Sequence, residues 1–194
     1  MRRIFFTIAI LLFSWNVFSQ GIQFEIGSWK EVLQKAKQEN KLVFVDLYTT
    51  WCGPCKKMAA ETFPQQTVGD YFNKNFVNYK IDAEKGEGPG LAGKYEVSAY
   101  PTLVFVNAEG ELVYKFMGVR TADKLIAEGE KAVRLHALAP RIAAMEKEYE
   151  QGKRGKVFLG EYYALLKESG AGGGVVLNEY LKCLSDEELL LEEN

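Results

Sequence analysis

Apolar residues run almost unbroken from Leu42 to Tyr48, with one acid, Asp46, inside the run. Such continuity suits a strand, Leu42 to Leu47, covered on both faces of a sheet. Before it, Ser28 and Glu31 form a capping box, and Trp29, Val32, Leu33 and Ala36 recur at helical spacing, so a helix leads into the strand. After it, a helix is predicted from about Gly53 to Phe63, stopping before Pro64, and a second over Val68 to Asn75, packing through Val68 and Phe72. Phe76 to Asp82 reads as a strand. The glycine-rich interval Gly86 to Gly90 reads as a loop, followed by a short helix to Tyr95. Thr102 to Val106 and Glu111 to Phe116 are strands joined by the turn-rich Asn107-Ala108-Glu109-Gly110, and Thr121 to His136 is an amphipathic helix. Strands alternating with helices, then a hairpin, give an α/β unit: a mixed sheet sandwiched by helices.

From Pro140 the pattern holds helices only. Leu138, Ile142, Met145 and Tyr149 share one face, and Phe158, Tyr162, Leu165 and Leu166 share another. Gly170 to Gly174 is a break, Val175 to about Leu184 another helix, and Ser185 an N-cap for the last stretch of the chain. These apolar stripes need a cover, either the first unit or a partner. At the other end, Arg2 and Arg3 precede the apolar stretch Ile4 to Phe13, and Val17-Phe18-Ser19 offers a cleavage site. That is the form of an export signal, too short for a membrane anchor. The chain thus divides into three segments: a cleaved signal over 1–19, an α/β domain over 20–136 and an all-helical extension over 137–194. The mature chain is expected to be periplasmic or otherwise exported.

Charge changes little in this picture. The chain of 194 residues balances 24 basic against 26 acidic side chains, which argues against nucleic-acid and anionic-membrane partners. Cysteine content changes more. There are three cysteines, the close pair Cys52 and Cys55 and the lone Cys183. A disulfide across so short a loop adds little stability, so the pair reads as chemistry rather than reinforcement.

Trp51-Cys52-Gly53-Pro54-Cys55 lies at the strand-to-helix junction. A helix beginning at about Gly53 places Cys52 beside unpaired backbone N–H groups and the positive end of the helix dipole, which stabilises a thiolate. Pro54 fits an opening turn, and Cys55 is near enough to attack a mixed disulfide on Cys52. Thiol–disulfide exchange is the expected chemistry. Half of a zinc site is the bland alternative; its completion would require His136 and Cys183 from distant helices, and no metal is expected. Asp46, an acid in an apolar run, is costly there unless it has a role. Cys183 is expected to be a buried thiol, His136 a helix-end residue, and Asp186-Glu187-Glu188 solvated surface.

Residues 22–136 resemble the thioredoxin family. The resemblance rests on Asp46 six residues before the first cysteine, the Trp51–Cys55 motif, Tyr100-Pro101-Thr102 opening a strand, and Gly118 after the hairpin. It implies a thioredoxin fold with Cys52 as exposed nucleophile and Cys55 as buried resolving thiol. It further implies Asp46 beneath them as a desolvated carboxylate exchanging a proton with Cys55. Trp51 would flank the sulfurs, Gly53-Pro54 would set the poise toward reduction, and Pro101 would be cis, letting the backbone of Tyr100 pair with a substrate strand. Two departures stand out. The position of the family's frequent lysine near the acid is counted as Asn78, with Lys80 expected on the other side. Tyr100 also replaces the usual aliphatic residue before the proline.

The expected activity is therefore reduction of protein disulfides outside the cytoplasm through Cys52 and Cys55. Disulfide-containing proteins would be the substrates and a membrane-bound thiol the electron donor, with no metal or organic cofactor. The alternatives are a disulfide oxidase or isomerase, or a binding module in which the helical tail recruits a protein and the redox pair switches affinity. Oligomeric state is not legible.

Overall fold

The structure is a computed structural model and describes residues 21–191; the export signal assigned to Met1–Ser19 lies outside the described residues. The chain runs β1 (Phe24–Glu25), α1 (Trp29–Glu39), β2 (Leu42–Tyr48), α2 (Gly53–Lys57) and a π-helical turn over Met58–Thr62. Then come α3 (Gln66–Asn75), β3 (Phe76–Asp82), α4 (Gly88–Lys94), β4 (Thr102–Val106) and β5 (Leu112–Met117). The helices α5 (Ala122–Glu150), α6 (Lys156–Ser169), α7 (Gly174–Leu181) and α8 (Asp186–Leu191) complete it.

The five strands lie in the order β1-β3-β2-β4-β5. β1, β3 and β2 are parallel; β4 runs antiparallel to β2, and β5 to β4. This is the mixed sheet expected. Successive residues of a strand point to opposite faces, so β2 feeds two cores. Phe44 enters an aromatic layer with Phe72, Phe76 and Phe105, closed by Met58 and by Leu125 of α5. Val43, Val45 and Leu47 face the other way, onto Val32 and Ala36 of α1 and Leu91 and Tyr95 of α4. The capping box of α1 is present as expected, with Ser28 and Glu31 satisfying each other's backbone N–H groups.

Three differences from the sequence reading have physical causes. β1 is a two-residue strand, too short to leave a period-two pattern. α4 begins inside the glycine-rich interval, because Pro89 sits in its opening turn, where the missing N–H is no loss. The helix predicted to end at His136 continues to Glu150 with Pro140 in its interior. An interior proline costs about 3 kcal/mol. Beyond it, Leu138, Ile142, Met145 and Tyr149 pack with Phe158, Leu159, Tyr162, Leu165, Leu166 and Val176 in a third core. Several buried side chains at about 1.5–3 kcal/mol each outweigh one proline. The stripes assigned to the tail thus cover one another.

The segment leading into β1 is seated by glycines. The N–H of Ile22 donates to the carbonyl of Phe63 at 2.8 Å, and Gly21 takes φ +92°, a left-handed conformation that favours glycine. α3 approaches this segment so closely that a Cβ on Gly69 would lie 2.3 Å from the carbonyl oxygen of Gly21. Gly69→Ala is therefore expected to lower stability by about 1–3 kcal/mol, the usual cost of overpacking against backbone. Denaturant melts of the two proteins measure it, and an unchanged midpoint would contradict this packing.

Candidate active site

β2 ends at Tyr48, and the chain turns through Thr49-Thr50-Trp51 into α2, bringing the cysteine pair to the C-terminal end of the central strand. Cys52 is the N-cap of α2, in extended conformation, and its Sγ accepts the N–H of Cys55 at 3.0 Å. Pro54 occupies the first turn. The helix start expected at Gly53 is found there, and a sulfur takes the capping position that an oxygen usually fills. Cys52 and Cys55 are joined in a disulfide, with Cα atoms 5.3 Å apart.

The contrast expected between an exposed Cys52 and a buried Cys55 is absent. They are 3% and 5% exposed, respectively. In this oxidised form each sulfur covers part of the other, and the Cys52 sulfur is further engaged by the helix N–H. The exposed group is Trp51, at 65%. Its indole N–H donates to Glu84 at 2.9 Å, and its ring meets Tyr100 edge-on with centroids 5.9 Å apart. The Tyr100–Pro101 bond is cis, as the resemblance implied. The carbonyl of Pro101 accepts the N–H of Gly118 at 2.9 Å, and Gly118 makes that approach at φ +87°. Thr102 donates its hydroxyl to the carbonyl of Ala99 at 2.7 Å, fixing the other side of the proline. Trp51, Tyr100 and Pro101 are thus brought together; Gly53 and Pro54 form the helix start.

Beneath the pair lies Asp46, 5% exposed, with Oδ1 lacking any hydrogen-bond partner. Burial pushes its carboxyl up to about 7, opposed in part by the positive charge of Lys80. Lys80 is opposite Asp46 in the parallel register of β2 and β3, and both line one cleft. The expectation that Lys80 points away is therefore wrong: residues two apart on a strand share a face, so Asn78 and Lys80 lie on the same side. Asn78 pairs with Phe44, is buried, and donates to the carbonyl of Gln23 and to Asn73.

The cleft has a volume of about 510 Å³ and is lined by Asp46 and Cys55 among others. It places the raised carboxyl and the second cysteine on one water-accessible surface. The turn after α2 winds as a π-helix, the N–H of Phe63 reaching the carbonyl of Met58. This buries Met58 in the aromatic core and lets the Thr62 hydroxyl donate to the carbonyl of Arg120. Its sequence gives no sign of that extra residue per turn.

Three remote residues differ from expectation. Cys183 is exposed, because α7 ends at Leu181 and leaves it in the turn toward α8. His136 is exposed in mid-helix rather than at a helix end. Glu188 is tied down rather than merely solvated, accepting from Ser185 and pairing with Lys156 of α6. Among the described residues, no group of three or more His, Cys, Asp or Glu is gathered as for a metal ion, and no helix is long and apolar enough to cross a membrane.

The thioredoxin family model matches residues 22–131, from the segment before β1 into the first third of α5. The chain belongs to the thioredoxin family. A thioredoxin-like protein of Synechocystis is 38% identical over 88 residues, covering 45% of this chain and 78% of the relative. A thioredoxin of Staphylococcus epidermidis is 39% identical over 90 residues, 46% of this chain and 81% of its own. The solution structure of a Bacteroides thetaiotaomicron protein, described as a candidate disulphide-isomerase, superposes with TM-score 0.54 at 49% identity. It covers 59% of this chain and 95% of its own. The thioredoxin unit, with its Cys52–Cys55 disulfide, makes the protein a thioredoxin-like thiol–disulfide oxidoreductase.

Proposed function

We propose that the protein reduces disulfides of other proteins outside the cytoplasm. The observation that carries this reading is the pairing of a capped cysteine, Cys52, with a second cysteine that shares a cleft with a carboxyl of raised affinity for protons. In the reduced protein the Cys52 thiolate attacks a substrate disulfide; one substrate sulfur leaves as thiolate and takes a proton from water. Cys55 passes its proton to ionised Asp46 and attacks the Cys52 sulfur. The second substrate sulfur leaves reduced, and two electrons have moved from the dithiol to the substrate. A carboxyl near 7 accepts a proton readily and returns it near neutral pH. Trp51, Tyr100 and the Pro101 backbone supply the face on which an extended substrate segment docks.

No metal or organic cofactor enters these steps. Regeneration needs a thiol donor, and a membrane-bound one is in keeping with the export signal read in Met1–Ser19. The isomerase reading draws support from the Bacteroides neighbour's description. Equilibration with glutathione and with dithiothreitol separates the directions. A potential near thioredoxin's, about −270 mV, is the expected result; one near that of protein disulfide isomerase, about −180 mV, would overturn reduction as the direction. A Cys55→Ala variant is expected to accumulate mixed disulfides with exported proteins, identifiable after capture.

A further inference from the structure

The cleft beside Cys55 has more in it than proton exchange requires. Its walls are apolar, formed by Ile22, Phe24, Phe63 and Pro64. At its buried end stand Asp46 and Thr49, the latter 1% exposed, and neither Asp46 Oδ1 nor Thr49 Oγ1 has a hydrogen-bond partner. A buried polar atom left unpaired costs about 1–3 kcal/mol, so the floor of this cleft is polar beneath its apolar walls. Two exposed lysines, Lys56 and Lys80, also line it. Among the described residues neither forms an ion pair with a carboxylate, and the Lys80 ammonium lies 5.5 Å from the centroid of the Phe24 ring.

We propose that this cleft is a binding site for a small apolar anion, an aromatic or branched carboxylate whose body rests on Phe24 and Phe63 and whose charge meets Lys56 and Lys80. The volume of about 510 Å³ falls within the range of small-molecule sites. Lys56 and Lys80 both line the cleft, and each gains from an anion held in it. Asp46, largely protonated below neutrality, offers a donor there rather than a full opposing charge. Trp51, Cys52, Tyr100 and Pro101 are not among the cleft's lining residues. Occupancy thus leaves the protein-docking face open while covering the route by which Asp46 and Cys55 meet water. The ligand would regulate the exchange rather than compete with its substrate.

The test is a titration of the oxidised, nitrogen-15-labelled protein with indole-3-acetate and, separately, with its neutral isostere indole-3-acetamide. Binding is read from amide shifts without turnover, so the outcome is independent of the redox direction proposed above. Saturable shifts at Phe24, Thr49, Thr50 and Lys80 are expected, with the carboxylate at least about tenfold tighter than the amide. The double variant Lys56→Gln/Lys80→Gln, altered only at exposed positions, is expected to lose that preference. Ala59→Trp, exposed on the cleft wall, is expected to block both probes while the remaining spectrum is retained. Equal affinities for acid and amide, shifts confined to the exposed Val157 and Val175 of the helical tail, or no saturable shift would each overturn the assignment.

Discussion

Cys52→Ser is expected to bring insulin reduction in dithiothreitol down to the rate of dithiothreitol alone. A serine hydroxyl is not ionised near neutral pH and forms no disulfide, so neither the attack on substrate nor its resolution by Cys55 remains. The fold should survive, because oxygen can take over the capping bond that Sγ accepts from the Cys55 N–H. The loss is then one of chemistry rather than structure, and an unchanged far-UV spectrum alongside it distinguishes the two. Full activity in this variant would remove the basis for assigning the reaction to this sulfur. Cys55→Ala should differ in kind, retaining the first attack and stalling at the mixed disulfide.

The second large effect concerns stability. Asp46 titrates at about 7 in the folded chain, against 3.8 for an ordinary aspartate. Between those values the folded state holds more protons than the unfolded state, so stability falls as pH rises from about 4 and levels off above about 7. Each unit of difference is worth about 1.4 kcal/mol, which places the full effect on the order of 4 kcal/mol. Asp46→Asn removes the titration and keeps the shape. The oxidised variant is therefore expected to be several kcal/mol more stable than the parent at about pH 8 and comparable to it at about pH 4. Denaturant unfolding at the two pH values measures this, and a difference that does not change with pH would show that Asp46 is not held in its neutral form by burial. On the mechanism proposed above, in which Asp46 accepts the Cys55 proton, the same variant should resolve mixed disulfides more slowly. On the proposed mechanism, the same burial that weakens the fold above neutral pH supplies a carboxyl suited to proton exchange.

The features legible in the sequence are those whose causes are local. A capping box, a run of apolar residues and a proline in a first turn each act within a few positions, and α1, β2 and the start of α2 are found where those signals place them. Glu84, which holds the Trp51 indole, lies 33 residues away and has no local mark. The length of α5 was hidden for a related reason. Pro140 is a local stop signal, and its overruling comes from side chains on α6 and α7. Lys80 is a different case, since alternation along β3 already places it beside Asp46. The exposure of Cys183 turns on α7 stopping at Leu181, a boundary that a glycine-rich approach and no proline leave undefined in the sequence.

α5 has one half under the sheet and the other in the helical tail. At about 1.5 Å per residue its 29 residues run about 43 Å as one continuous helix, with Pro140 in the interior. Were the two parts joined by a loose tether, whatever grips the tail would leave the cysteines free to wander. A shared beam fixes bearing and reach instead: a tail anchored to another molecule would aim the disulfide at one patch of that molecule, and shortening the beam by a single helical residue would swing the aim by about 100°.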